Sequence, residues 1–427
     1  MNIRIHGCSV LDGSSPGGSR SADIFIDDGR IAAVGSMPPD FQAGHVIDGT
    51  NTIALPGLVN AHTHVSMSLF RNLADDLDLM DWLQNRIWPL EERMGPEDVY
   101  WGAMLSMAEL IRSGVTACAD MYFSMDKVAE AAVRSGLRLN AAVGLTGDRE
   151  AAREKLRAFR DFHAGWNGAG DGLVQADIGP HAPYTCDDGC FEEAARCAGD
   201  LGCGIHVHLS ETAGEVAECR EKFGLSPVGL AERSGFFSHR TIAAHCVHVD
   251  ARDIELLRSA NVHVVHNPSS NLKLASGFAR IGELRDAGVQ LALGTDGSSS
   301  NNNLNMFEEM HIAAILAKSV AGDPKALPAG DVLSMATEGG AAALGLPAGT
   351  GRIEEGSPAD LILVRTDSLH MQPLHDPLSA LVYSAQGSDV DTVICNGQVL
   401  MERRELLTID EEEVAAKARE AVERLQS

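Results

Sequence analysis

No stretch of the sequence approaches the ~18 consecutive apolar residues that cross a bilayer, so no membrane span is expected. The start, Met1-Asn2-Ile3-Arg4-Ile5-His6, has no basic region followed by an apolar run, and no secretory leader is expected. Basic residues are scarce: 34 Lys and Arg stand against 60 Asp and Glu, a net charge of −26. A field of that sign repels phosphate backbones and argues against nucleic acid as a partner. The nine cysteines include no Cys-x-x-Cys pair. An odd number without framework spacing reads as reduced thiols in a cytoplasmic protein.

What is present is a large, well-mixed chain. Its 427 residues are 44% hydrophobic and 22% charged, enough for one large barrel with an accessory domain. The first ~50 residues alternate apolar and polar side chains, and Asp28-Gly29 between two such runs signals a tight hairpin. After Pro56-Gly57 the pattern changes. Eight short apolar runs, at 58–64, 115–121, 137–145, 173–181, 204–210, 241–248, 262–268 and 289–297, alternate with amphipathic stretches such as 98–113, 125–135, 151–162, 191–201 and 251–260. Apolar strands each followed by a helix predict a parallel sheet covered on both faces, and eight units predict a (β/α)8 barrel of TIM type. An open doubly wound sheet is the alternative, but no Gly-x-Gly-x-x-Gly follows the first strand. From about residue 351 strand-and-turn patterning returns, with Asn396-Gly397 as a second hairpin signal. The expected organisation is an α/β chain in which 1–55 and 351–406 form one discontinuous β-sandwich domain, 56–350 the catalytic barrel, and 407–427 a C-terminal helix.

The chemistry concentrates at the predicted strand ends. In Leu58-Val59-Asn60-Ala61-His62-Thr63-His64, residues two apart on a strand point the same way, so His62 and His64 face the barrel interior at its C-terminal end, where barrel active sites sit. His206 and His208 share one facing on strand 5, with Glu211 three residues beyond. His245 lies on strand 6 and Asp296 on strand 8. Together these residues fit a three-histidine, one-carboxylate site for zinc or another borderline divalent metal; iron or manganese suits the same ligand set. Such a metal lowers the pKa of water toward ~7. Glu211 is placed to shuttle protons, His245 to polarise a developing tetrahedral centre, and Asp296 both to ligate and to accept a proton.

These motifs carry a resemblance. They include Pro56 through His64, Pro180-His181-Ala182-Pro183-Tyr184, His208-Leu209-Ser210-Glu211-Thr212, Ala244-His245-Cys246-Val247-His248, His266-Asn267-Pro268-Ser269-Ser270-Asn271 and Gly294-Thr295-Asp296-Gly297. In this order they resemble the amidohydrolase superfamily, and most closely its 5′-methylthioadenosine/S-adenosylhomocysteine deaminase branch. The resemblance implies one zinc ion per subunit on His62, His64, His208 and Asp296. It implies proton transfers by Glu211, His245 and Asp296 during attack of water on C6 of a 6-aminopurine nucleoside. It also implies that His181 hydrogen-bonds the purine and that Glu91 accepts from the ribose hydroxyls. Trp82 is a candidate pocket wall. Strand 4 ends in Ile178-Gly179-Pro180-His181, without the lysine that bridges two metals in dinuclear relatives.

Members of the branch that grip a homocysteine carboxylate use arginines after strand 3. Here that region reads Gly144-Leu145-Thr146-Gly147-Asp148-Arg149-Glu150, leaving Arg149 as the candidate and no second arginine near Gly144. Methylthioadenosine, 5′-deoxyadenosine and adenosine are therefore expected ahead of S-adenosylhomocysteine. The alternative is another aminated or chlorinated heterocycle: guanine, pterin, cytosine or an s-triazine. By analogy with such enzymes a homo-oligomer is expected.

Overall fold

The computed structural model describes residues 2–11 and 18–426. Its centre is an eight-stranded parallel barrel. The strands are β1 (Leu58–Thr63), β2 (Val115–Tyr122), β3 (Arg138–Leu145), β4 (Val174–Pro180), β5 (Ile205–Leu209), β6 (Thr241–His245), β7 (His263–His266) and β8 (Gln290–Leu293), each hydrogen-bonded to the next. The seam between β8 and β1 is stitched by other means. Asp296 N–H donates to His62 O at 3.0 Å. The Asn60 side chain donates to Thr295 Oγ1 at 2.7 Å and accepts from Thr295 N at 3.0 Å. The last residues of the closing strand are thus fixed on the first, which brings Asp296 beside His62.

Small side chains let the barrel fill. Val59, Ala61, Ala117, Ala119, Ile242, Val265 and Ala292 form one buried cluster inside, plugged by Ala341 and Leu344 of the helix Gly340–Leu344. A larger apolar core lies outside the strands, under the helices. The expected helices form, most of them starting or ending a few residues off, as with Pro96–Arg112 and Arg149–Trp166. Their ends follow the capping rules: Asp148 accepts from Glu150 N and Ala151 N ahead of the second of these, and Gly136 takes φ 82 after Met125–Ser135.

The second sheet joins both ends of the chain. Its order is Glu405–Leu406, Gln398–Glu402, Val390–Cys395, Leu361–Arg365, Thr52–Pro56, Ile3–Leu11, Ser19–Asp27 and Arg30–Val34, with His45–Asp48 also paired to Ile3–Leu11. N-terminal and C-terminal parts meet where Thr52–Pro56 runs antiparallel to Leu361–Arg365. Both sequence-predicted hairpin turns form: Asp28-Gly29 (φ 47 and 74) and Asn396-Gly397 (φ 50 and 72) take the two positive φ values such turns require. The sheet encloses its own core, including Ile3, Ile5, Ile24, Ile26, Leu361 and Ile394. A buried ion pair ties it to the barrel: Arg138 on β3 donates to Asp360 at 2.9 Å and to Asn396 Oδ1 at 2.9 Å. No helix among the described residues is long and apolar enough to cross a membrane.

Candidate metal centre and active site

Several barrel strands end sooner than the apolar pattern suggests, because the functional residues sit where the backbone leaves extended geometry. Ser210, His245, Cys246 and Asp296 have φ of 54, 73, 47 and 61. Non-glycine residues seldom occupy that region, and they cluster here at the C-terminal mouth of the barrel.

His62 lies fully buried on β1, and His64 follows just past its end. His208 lies on β5. Their Nδ1 atoms are all engaged: His62 with His206 Nε2 at 2.7 Å, His64 with Met121 O at 2.7 Å, and His208 with His181 O at 2.7 Å. A carbonyl can only accept, so His64 and His208 carry the proton on Nδ1 and turn the Nε2 lone pair inward. Those two Nε2 atoms lie 3.3 Å apart. Asp296 Oδ1 lies 3.4 Å from His62 Nε2 and 3.3 Å from His64 Nε2. His62 Nε2 is buried without a hydrogen-bond partner.

Lone pairs converging on one point, with an orphaned ring nitrogen and a carboxylate beside them, call for a cation. Donor atoms of His62, His64 and Asp296 fall within 4.8 Å of one another, as do those of His62, His208 and His245. Electrostatics agree. Burial opposes charge on His64, but the Asp296 carboxylate outweighs it and pushes the imidazole up to about 9. Burial likewise opposes ionisation of Asp296, yet His62 and His64 hold its carboxyl well below the usual range. The donor set fits a divalent metal, and each ring is oriented from behind as metal-bound histidines generally are.

Around this centre stand the other predicted residues. Glu211 and His245 approach at 3.8 Å between Oε2 and Nε2. His245 Nδ1 bonds Asn271 Oδ1 at 2.9 Å, which leaves Nε2 facing the site. Ser276 Oγ donates to Glu211 Oε1 at 3.2 Å. Burial pushes the Glu211 carboxyl up, against the pull of His245. A carboxyl raised this way can hold a proton nearer neutrality, as a proton shuttle requires. Behind it Glu215 accepts from Ser210 N at 2.8 Å and Glu211 N at 2.7 Å, pinning the turn. Asp296 Oδ2 accepts from Ser270 at 2.7 Å and Ser300 at 3.0 Å.

Above the centre opens a cavity of about 720 Å³ that reaches His64, His208, Glu211, His245 and Asp296. His181, Glu91 and Trp82 line it. His181 Nδ1 pairs with Thr185 Oγ1 at 2.9 Å, and burial lowers the ring to about 3, so it stays neutral. Glu91 is held by Tyr122, whose hydroxyl donates to Oε1 at 2.6 Å. Burial pushes the Glu91 carboxyl up against that hydrogen bond.

Arg149 needs correction. It is not among the cavity-lining residues. Its guanidinium turns to the helix Asp188–Leu201, where it pairs with Glu192 and, at 3.2 Å, with Glu193. The cation that lines the cavity is Lys155. Sequence reasoning also missed Tyr122, Asn271, Ser276 and Glu215. Only Glu215 carried a local signal: Thr212-Ala213-Gly214-Glu215 has capping-box spacing at a helix start, and Thr212 accepts from Glu215 N at 3.1 Å.

Residues 53–400 match the model of the amidohydrolase family, and the chain belongs to that family. It is 47% identical over 428 residues to a 5-methylthioadenosine/S-adenosylhomocysteine deaminase of Pelotomaculum thermopropionicum, covering 99% of each chain. It is 48% identical over 396 residues to one of Thermoanaerobacter pseudethanolicus, covering 92% of each. Among solved structures, an adenosine deaminase from Xanthomonas campestris with bound zinc superposes with a TM-score of 0.94 at 37% identity, covering 99% of this chain and 98% of that one. The atrazine chlorohydrolase of Arthrobacter aurescens, complexed with zinc, gives 0.91 at 27% identity, covering 98% and 100%.

Proposed function

We propose that this chain is a zinc-dependent deaminase that converts 6-aminopurine nucleosides to their 6-oxo analogues and ammonia. The observation that carries the reading is the pairing of Glu211 with His245 beside a cation-demanding cluster, at the floor of a cavity whose wall presents Glu91. Near full-length identity to methylthioadenosine/S-adenosylhomocysteine deaminases supports the same reading.

His62, His64, His208 and Asp296 would hold the metal, one ion per subunit. When bound, a divalent ion supplies Lewis acidity and makes water a nucleophile at neutral pH. His181 hydrogen-bonds the purine, Trp82 walls it, and Glu91, aimed by Tyr122, accepts from the ribose hydroxyls. As the water oxygen bonds to C6, Asp296 accepts its proton and Glu211 delivers one to N1. His245 stabilises the tetrahedral carbon through its Nε2 side. The C6–N bond then breaks as Asp296 passes its proton to the departing amine, which leaves as ammonia, and the remaining hydroxyl proton returns to Glu211, giving the 6-oxo product and restoring the carboxyl. The proposed division is a discontinuous sandwich of 1–55 and 351–406, the barrel of 56–350 and the terminal segment 407–427, whose helix spans Glu411–Gln426. Nine free cysteines and the lack of a disulfide framework favour the cytoplasm, and relatives of this kind favour a homo-oligomer.

The rival reading, hydrolysis of another heterocycle, draws on the chlorohydrolase likeness. A substrate panel separates the two. Metal-replete protein should release ammonia from adenosine and its 5′-modified analogues but not from guanine, cytosine or s-triazines, and Glu91→Ala should raise KM for nucleosides. Turnover confined to free bases or triazines would overturn the proposal.

A further inference from the structure

The helices that follow β3 and β4 carry a set of arginines whose charge is already spent. Arg149 pairs with Glu192 and Glu193, Arg153 Nε donates to Glu193 at 3.0 Å, and Arg196 also pairs with Glu193. Lys155, on the same helix as Arg149, faces another way. Its Nζ donates to Thr146 Oγ1 at 2.7 Å, a neutral partner, and among the described residues it forms no ion pair. Lys155 and Thr146 both line the cavity that ends at the metal centre, and Lys155 is the one lysine or arginine among the described residues lining it.

The other charged side chains on the wall of that cavity are negative. Glu211 and Asp296 lie at the floor, and Glu91 and Glu92 line the wall. An anionic tail directed along the wall is therefore repelled by Glu91 and Glu92 and favoured at Lys155. The Thr146 hydroxyl accepts from Nζ, so its own proton is free to donate. Ammonium and hydroxyl together offer two donors from adjacent side chains, which suits the two oxygens of a carboxylate.

We propose that Lys155, with Thr146, binds a carboxylate on the 5′ substituent of the nucleoside. The site then accepts a thioether-linked amino acid there, as in S-adenosylhomocysteine, and Lys155 sets the preference for it over 5′-methylthioadenosine. This rests on the deaminase reading above and reverses the expectation drawn from the missing arginine near Gly144.

Steady-state kinetics of the metal-loaded enzyme on both nucleosides test it. In Lys155→Ala the ratio of kcat/KM for S-adenosylhomocysteine to that for methylthioadenosine should fall about tenfold, mainly through KM, as expected for losing one charge-assisted hydrogen bond. Lys155→Arg should retain most of the wild-type ratio. Added salt should lower the wild-type ratio and leave that of Lys155→Ala nearly flat. A ratio unmoved by Lys155→Ala, with both nucleosides still turned over, would overturn the assignment of Lys155 alone. Turnover of neither nucleoside by the wild type would instead defeat the deaminase reading, and this proposal with it.

Discussion

Replacing Gly294 with alanine should damage the metal centre without touching a ligand. Gly294 sits just past β8, where that strand closes against β1. A Cβ there would lie 2.7 Å from His62 N, 2.8 Å from His62 O and 2.9 Å from Asn267 Nδ2. The Asn267 amide can swing aside, but the His62 backbone cannot, because His62 O already accepts from Asp296 N at 3.0 Å. Carbon and oxygen need about 3.3 Å, so the strands must part by about 0.5 Å. Metal–ligand distances tolerate about 0.2 Å. His62 and Asp296 lie on opposite sides of this seam, and the separation would spoil their convergence. Metal affinity should fall about 10- to 100-fold, with about 1–3 kcal/mol of stability lost to overpacking. Competition against a chromophoric chelator measures the affinity, and thermal melting with and without chelator separates the two effects. An alanine variant that binds zinc as tightly as the wild type would refute the closure argument.

Other perturbations test other parts of the account. Glu211→Gln should lower kcat by about 10²–10⁴ while retaining zinc, and a loss under tenfold would remove Glu211 from proton transfer. Asp360→Ala strands the Arg138 guanidinium, 3% exposed beside an aspartate 1% exposed, and should cost about 3–5 kcal/mol by urea unfolding; a cost below about 1 kcal/mol would show that the pair does not tie the sheet to the barrel. Burial pushes the Glu309 carboxyl up to about 7, against hydrogen bonds from Ser269 and Asn301. Its folded pKa exceeds its unfolded value near 4.5, so folding favours the protonated form, and stability drains as pH rises through about 7, by up to ~3 kcal/mol. Glu309→Gln cannot titrate, and its stability relative to the wild type should climb between pH 5 and pH 8; a flat difference would contradict the shift.

The barrel was legible because its strands are apolar on both faces and each is followed by an amphipathic helix. The strand ends were not, since nothing in an apolar run marks where His245 or Asp296 will be forced into the left-handed region. His62, His64, His208, Glu211, His245 and Asp296 could be placed because strand periodicity and strand-end position say where a side chain points. Their supports could not: Asn271 reaches His245 from the short helix Pro268–Lys273 after β7, and Tyr122 reaches Glu91 from β2, contacts that exist only once the barrel closes. Arg149 misled for the same reason. Closeness to strand 3 in sequence does not fix which side of the following helix faces the cavity. Arg149 turns to Glu192, and Lys155, six residues on, turns to the cavity.

The claim that these residues hydrolyse a C6 amine is tested most directly by product analysis in ¹⁸O-labelled water. Metal-replete protein given 5′-methylthioadenosine should yield the 6-oxo nucleoside with one solvent oxygen and equimolar ammonia, and a chelator should abolish both until zinc is restored. No ammonia from any 5′-modified adenosine by fully metallated protein, or a product without solvent oxygen, would contradict the account.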